Sequence, residues 1–191
     1  MIDGEQEDQQ LSDDEVGTGA ATEDGIVLLS NDVWGFESNC FVCEARNTSG
    51  LGIPFHHDTN AETVVAEFTL DERFSGAPRY VHGGVALAIL DEAMAWATIA
   101  VARRFAVTAE TTTQFERPVR IGLAHSVRAR IERIEGRDIF TTAEIVRSDG
   151  HRCATAQARF SGLEVEQISD AIGEPVSGVA LDYTSEAPAQ R

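Results

Sequence analysis

Two glycines, Gly83 and Gly84, follow His82, and an acid, Asp91, stands eight residues beyond Gly83. The glycines open an apolar run that reads as a helix, so their backbone N–H groups have no partner within it. The helix dipole adds positive potential at the same place. Without a side chain, glycine lets a carbonyl approach those N–H groups closely, which is what an oxyanion hole requires. The same glycines also suit a turn that only small residues allow. Asp91 and Glu92 are the only charged residues within Gly83–Ala102. A carboxylate inside an apolar helix is costly unless it is paired or functional. Asp91 is the candidate base or nucleophile, with an acid satisfied at a subunit interface as the alternative. Glu92 lies 100° further around the helix and faces a different neighbour.

The elements that position these residues follow from periodicity. Gly83–Arg104 is the helix; it is apolar on nearly all sides and therefore a buried one. Gly50–Asp58 reads as a short strand. Thr63–Leu70 is a half-buried strand, with Val64, Ala66, Phe68 and Leu70 on one face. Asp71–Tyr80 is a loop. Strands follow at Val107–Val119, Ser126–Glu132, Arg137–Arg147 and His151–Gly162, the last after the hairpin signal Asp149-Gly150. On it, Ala154, Ala156, Ala158 and Phe160 form one face. The order β-β-α-β-β-β-β predicts an α+β domain, a curled antiparallel sheet around one long central helix.

The helical rise from Gly83 to Asp91 is about 12 Å. A donor and an attacking group must both lie roughly 3 Å from the reacting atom. One straight helix cannot bring them together. The spacing predicts a symmetric dimer in which Gly83 of one subunit meets Asp91 of the other.

Composition narrows the classes. The chain has 191 residues, 32 acids, 15 Arg and no Lys, with a net charge of −17. Binding to nucleic acid phosphates is disfavoured. The charge is uneven. Residues 1–24 hold nine acids and no base, and 164–191 hold six acids and one Arg. The expected organisation is an acidic disordered tail over 1–24, a folded domain over 25–163 and a flexible acidic tail over 164–191. No secretory signal or membrane-length segment is visible, so the expected location is cytoplasmic. Cys40, Cys43 and Cys153 form no disulfide framework. Cys40-x-x-Cys43 with the adjacent His56-His57 fits zinc poorly, and the thiols read as buried side chains; neither metal nor cofactor is expected.

Val81-His82-Gly83-Gly84-Val85, then Leu90-Asp91-Glu92-Ala93, resembles the signature of hot dog fold acyl-CoA thioesterases of the phenylacetate-pathway type. Asn39-Cys40-Phe41-Val42-Cys43 with Asn47 and Gly50-Leu51, and Phe115-Glu116-Arg117-Pro118-Val119-Arg120-Ile121-Gly122, extend the resemblance over about residues 39–162. It implies hydrolysis of an acyl-CoA to free acid and coenzyme A in a dimer or tetramer. It implies that Gly83 and Gly84 hold the oxyanion, that His82 orders the turn and that Asp91 of the partner acts. Thr108 stands where the family often has a polar residue near the acid. Asn47 is a candidate for positioning water or thioester, and otherwise a turn residue. Arg79, Arg117 and Arg120 are candidates for the coenzyme A phosphates, and Arg128 and Arg130 alternate outward on one strand. Trp96, Met94 and Phe74 fit either an acyl pocket or the core. Relatives with Gln or Asn before the turn differ from this chain, which has Gly76 and Arg79 there, and Glu44 replaces a usual glycine. A hot dog hydratase or dehydratase is a weaker alternative, since no His follows Asp91 in the next turns. A non-catalytic acyl-CoA sensor is the other.

Overall fold

The computed structural model describes residues 24–34, 38–173 and 175–184. Nearly all of the expected first tail lies outside them. Short strands β1 (Ile26–Leu28) and β2 (His56–Asp58) precede β3 (Thr63–Phe68). A small hairpin, β4 (Ser75–Ala77) and β5 (Tyr80–Val81), leads into helix α1 (Gly83–Ala100). Four long strands follow: β6 (Ala106–Phe115), β7 (His125–Glu135), β8 (Asp138–Arg147) and β9 (Arg152–Gly162). Seven strands form one antiparallel sheet in the order β1-β2-β3-β7-β8-β9-β6. The expected α+β architecture is observed.

The alternation read along the strands faces α1. Val64, Ala66 and Phe68 of β3 are buried, as are Ile139, Ala143 and Ile145 of β8 and Ala154, Ala156 and Phe160 of β9. They join Ile89, Leu90, Ala93, Met94 and Ala97 of α1 in one core. Each large side chain removed from water there contributes about 1.5–3 kcal/mol. The three alanines of β9 let the helix lie close. By length and composition alone α1 is apolar enough to cross a bilayer, but the sheet accounts for that apolarity.

Several boundaries differ from expectation. Helix α1 stops at Ala100, not Arg104. Arg103 takes a left-handed conformation, φ 53°, and its guanidinium lies 4.4 Å from the Tyr183 ring centre. Phe105 N–H then donates to the Tyr183 carbonyl at 2.7 Å. A segment far along the chain thus draws the backbone out of the helix. The strand expected over Val107–Val119 ends at Phe115, since Pro118 lacks a donor. Only His56–Asp58 of Gly50–Asp58 pairs as strand, and the loop expected over Asp71–Tyr80 contains the β4–β5 hairpin.

The expected flexible tail over 164–191 is corrected for its described part. Helix α2 (Val165–Ile172) begins with a capping box between Glu164 and Gln167 and ends at Gly173 in the left-handed region. Ile168, Ala180 and Tyr183 are buried. Acid content suggested solvation, but three apolar anchors and a capped helix hold this segment to the domain.

Candidate active site

His82 caps α1 with extended backbone, and its Nδ1 accepts a hydrogen bond from Gly84 N–H at 3.0 Å. The imidazole thus ties the first turn of the helix to its cap. The two glycines, alike in the sequence, have different duties. Gly84 N–H is occupied by His82, which corrects its assignment as an oxyanion donor. Gly83 N–H has no hydrogen-bond partner among the described residues. Gly83 borders a cavity of about 320 Å³ with Val81, Ala86, Phe115, Pro118 and Val119, and Glu116, paired with Arg152, and Arg117 stand at its edge. A Cβ added at Gly83 would lie 3.8 Å from the Phe115 ring, whereas one at Gly84 would press on His82 Nδ1 at 3.1 Å.

Asp91 lies beside the other end of β6. Its Oδ1 accepts a hydrogen bond from Thr108 Oγ1 at 2.8 Å. The structure thus joins two candidates that stand 17 residues apart. It does not join Asp91 to Gly83 within one chain. Thr108 pairs with Phe160 of β9 and Phe115 with Ala154, six strand positions and about 20 Å apart.

Glu92 does face a different neighbour. Cys40 Sγ lies 3.4 Å from Glu92 Oε1. Burial, with Cys40 adding to it, pushes the Glu92 carboxyl up to about 8. Hydrogen bonds from Cys43, first of its thiol and then of its backbone, hold the Cys40 thiol low, and the Cys43 thiol is pushed up in turn. Cys40 and Cys43 are only partly buried, and His56 and His57 lie in β2.

Asn47 is corrected as a substrate contact. Its Nδ2 donates to the carbonyls of Asn39 and Cys40, and its Oδ1 accepts from Ser49 N–H. Both ends of the amide close the loop. Gly50 is needed beside it, because a Cβ there would run into the Phe41 carbonyl oxygen. Arg79 and Arg120 share a second cavity of about 270 Å³ with Pro78, Ile121 and Leu123, and neither forms an ion pair among the described residues. Arg117 Nη1 donates to the Arg152 carbonyl at the rim of the Gly83 cavity. Arg128 reaches Thr63 and Arg130 pairs with Glu132. Met94 and Trp96 are buried in the core, and Phe74 packs at its edge under Arg73. A further depression of about 540 Å³ is lined by charged residues such as Glu110, Arg130 and Arg159 and holds none of the leading candidates.

One positioning residue escaped the sequence reading. His125, 2% exposed, stacks on Phe68, its Nδ1 contacts the Leu123 carbonyl at 2.9 Å and its Nε2 accepts weakly from Arg120 N–H. It props the loop that carries Arg117 and Arg120. Its only sequence signal was a histidine opening an alternating strand.

A single helix wrapped by a curled antiparallel sheet, with a glycine turn at the helix start, defines the hot dog fold. Residues 79–154 match the family model described as Thioesterase superfamily, in agreement with the resemblance read from the sequence. A crystal structure described as a thioesterase superfamily protein aligns at 25% identity and TM-score 0.57, over 60% of this chain and 56% of that one. The chain thus spans little more than half of that relative's length. The Escherichia coli PaaI protein from the phenylacetic acid degradation operon aligns at 22% identity and TM-score 0.54, over 59% and 80%. A Streptococcus mutans protein bound to acetyl CoA aligns at 13% identity and TM-score 0.50, over 53% and 81%. No curated protein sequence matches the chain.

Proposed function

We propose that this chain hydrolyses acyl-CoA thioesters, as a soluble dimer with two sites shared between subunits. The observation that carries the reading is the N–H of Gly83, without a partner among the described residues and bordering a cavity whose acid, Glu116, is held by Arg152, while Asp91 stands at the far end of β6. Strand β6 is the edge of the sheet, and eight of its ten residues are exposed, Val107 and Phe115 among them. A long bare edge calls for a partner.

Pairing β6 with its own copy about a two-fold axis at Thr112 meets both needs. Thr112 pairs with Gln157 of β9, and Thr108 and Phe115 pair three positions to either side of Gln157. The bulge between Thr108 and Glu110 absorbs the extra residue. Such an axis sets Thr108 and Asp91 opposite Phe115 and Gly83 of the partner subunit.

In that site the thioester carbonyl oxygen accepts from Gly83 N–H. Thr108 occupies one oxygen of Asp91 and leaves the other to take a proton from water. The water oxygen bonds to the carbonyl carbon, the C–S bond breaks and coenzyme A leaves as a thiolate, which needs no strong acid. Direct attack by Asp91 with a mixed anhydride uses the same groups. Arg79 and Arg120, without an ion-pair partner among the described residues, suit the phosphates of coenzyme A.

A panel of acyl-CoAs, assayed for free thiol, tests the reading. Release by the wild type that falls at least about a thousandfold in Asp91→Ala, with acyl-CoA still bound, supports it. Binding without release from any thioester in the wild type contradicts it and favours a sensor.

A further inference from the structure

We propose that Cys40, Cys43 and Glu92 form a site for a soft divalent cation of the zinc class, which fastens the loop over residues 38–53 to helix α1. The inference does not rest on the thioesterase reading. On sequence grounds the cysteine pair lacked a second set of ligands, because His56-His57 suited the geometry poorly. The fold supplies a carboxylate 49 residues beyond Cys43 instead. The ligand atoms of all three residues lie within 4.8 Å of one another.

Three features of the pair match a metal knuckle. Val42 N–H and Cys43 N–H both point at Cys40 Sγ, at 3.3 and 3.5 Å. Donors so placed stabilise a thiolate rather than a thiol. The turn is fixed from outside: Leu51 N–H donates to the Phe41 carbonyl and Ile53 N–H to that of Val42. The 3.4 Å from Cys40 Sγ to Glu92 Oε1 agrees with the edge of a tetrahedron built from zinc bond lengths, about 3.5 Å.

Charge supplies the second argument. Glu92 has no arginine or backbone N–H partner among the described residues; its neighbours are sulfur atoms. A half-buried carboxyl with no cation beside it is costly to ionise. A disulfide between the cysteines would leave that cost in place. A divalent cation bound by two thiolates and the carboxylate removes it, with their protons passing to solvent. Two sulfurs select a thiophilic ion such as Zn²⁺ over Mg²⁺ or Ca²⁺. Water completes the fourth position.

The test uses the full chain, stripped with a chelator, fully reduced and titrated with Co²⁺. Uptake of one equivalent with a thiolate-to-cobalt charge-transfer band, displaced by Zn²⁺, is expected. Cys40→Ser and Cys43→Ser lose most of that band. Glu92→Gln retains it but binds roughly tenfold or more weakly. Cys153→Ser, whose sulfur is buried and outside the cluster, binds as the wild type does. Should a cysteine variant fail to fold, X-ray absorption of the cobalt-loaded wild type decides. Two sulfur neighbours support the site, and a first shell of oxygen and nitrogen alone overturns it. Reduced, folded protein that takes up no cobalt overturns it as well.

Discussion

At its Phe115 end, strand β6 borders a mostly apolar cavity that Gly83, whose N–H has no partner among the described residues, also lines. At its Thr108 end, the same strand meets the carboxylate of Asp91 through a hydroxyl. At the first end the titratable side chains are already engaged, Glu116 by Arg152 and His82 by Gly84 N–H; the second offers the Asp91 carboxylate and no bare helix N–H. Each is rigid for its own reason, a capped helix turn in one case and a strand-to-helix hydrogen bond in the other. In the proposed dimer, that division makes one chain the carrier of two halves of two sites, and the exposed edge strand β6 the element that joins the halves.

The donor end is the place to break this comparison hardest. Gly83→Pro removes the N–H, and the helix tolerates proline there. His82, at φ −60° and ψ 135°, already has the conformation that precedes proline. Steady-state kinetics should show kcat falling about a hundred- to a thousandfold with the melting temperature nearly unchanged. Gly83→Ala keeps the N–H and has room for its methyl, so its loss should be far smaller. Equal losses in the two variants would mean that space, not the donor, matters.

At the acid end, Thr108→Val deletes one hydrogen bond to a charged group. A fall of about tenfold in kcat, the worth of roughly 1.5 kcal/mol, is expected, without a matching rise in KM. The smallest effect concerns the loop beneath the donor end. Burial holds the His125 imidazole below its ordinary 6.5, against the pull of the Leu123 carbonyl. The folded protein keeps His125 neutral while the unfolded chain takes up a proton near pH 6.5. Stability is therefore full above that value and is lost as pH falls below it toward the folded pKa. Urea midpoints should decline over that window. His125→Gln should flatten the decline without removing it, because burial lowers His57 as well.

Much of the fold was legible because periodicity reports burial directly. Val64, Ala66 and Phe68, and Ala154, Ala156 and Phe160, alternate in sequence and line the core in space. The capped turn at His82 and Gly83 was legible because helix-end chemistry is local, and Asp91 stood out as a carboxylate within an apolar helix. What stayed hidden depends on contacts across the chain. Gly84 could not be separated from Gly83 until the direction of His82 Nδ1 was known. Tyr183 ends α1 from 80 residues away, and acid counting concealed it. The Cys40–Glu92 contact spans 52 residues, beyond any spacing rule.

Mixed dimers test the shared site most directly. Asp91→Ala and Gly83→Pro chains, each inactive alone, are unfolded together and refolded at equal ratio. Half of the random dimers are then mixed, and each has one site with both groups intact, so about a quarter of wild-type thioester hydrolysis should return. Confirmed mixed dimers that stay inactive would contradict a site divided between Gly83 of one subunit and Asp91 of the other.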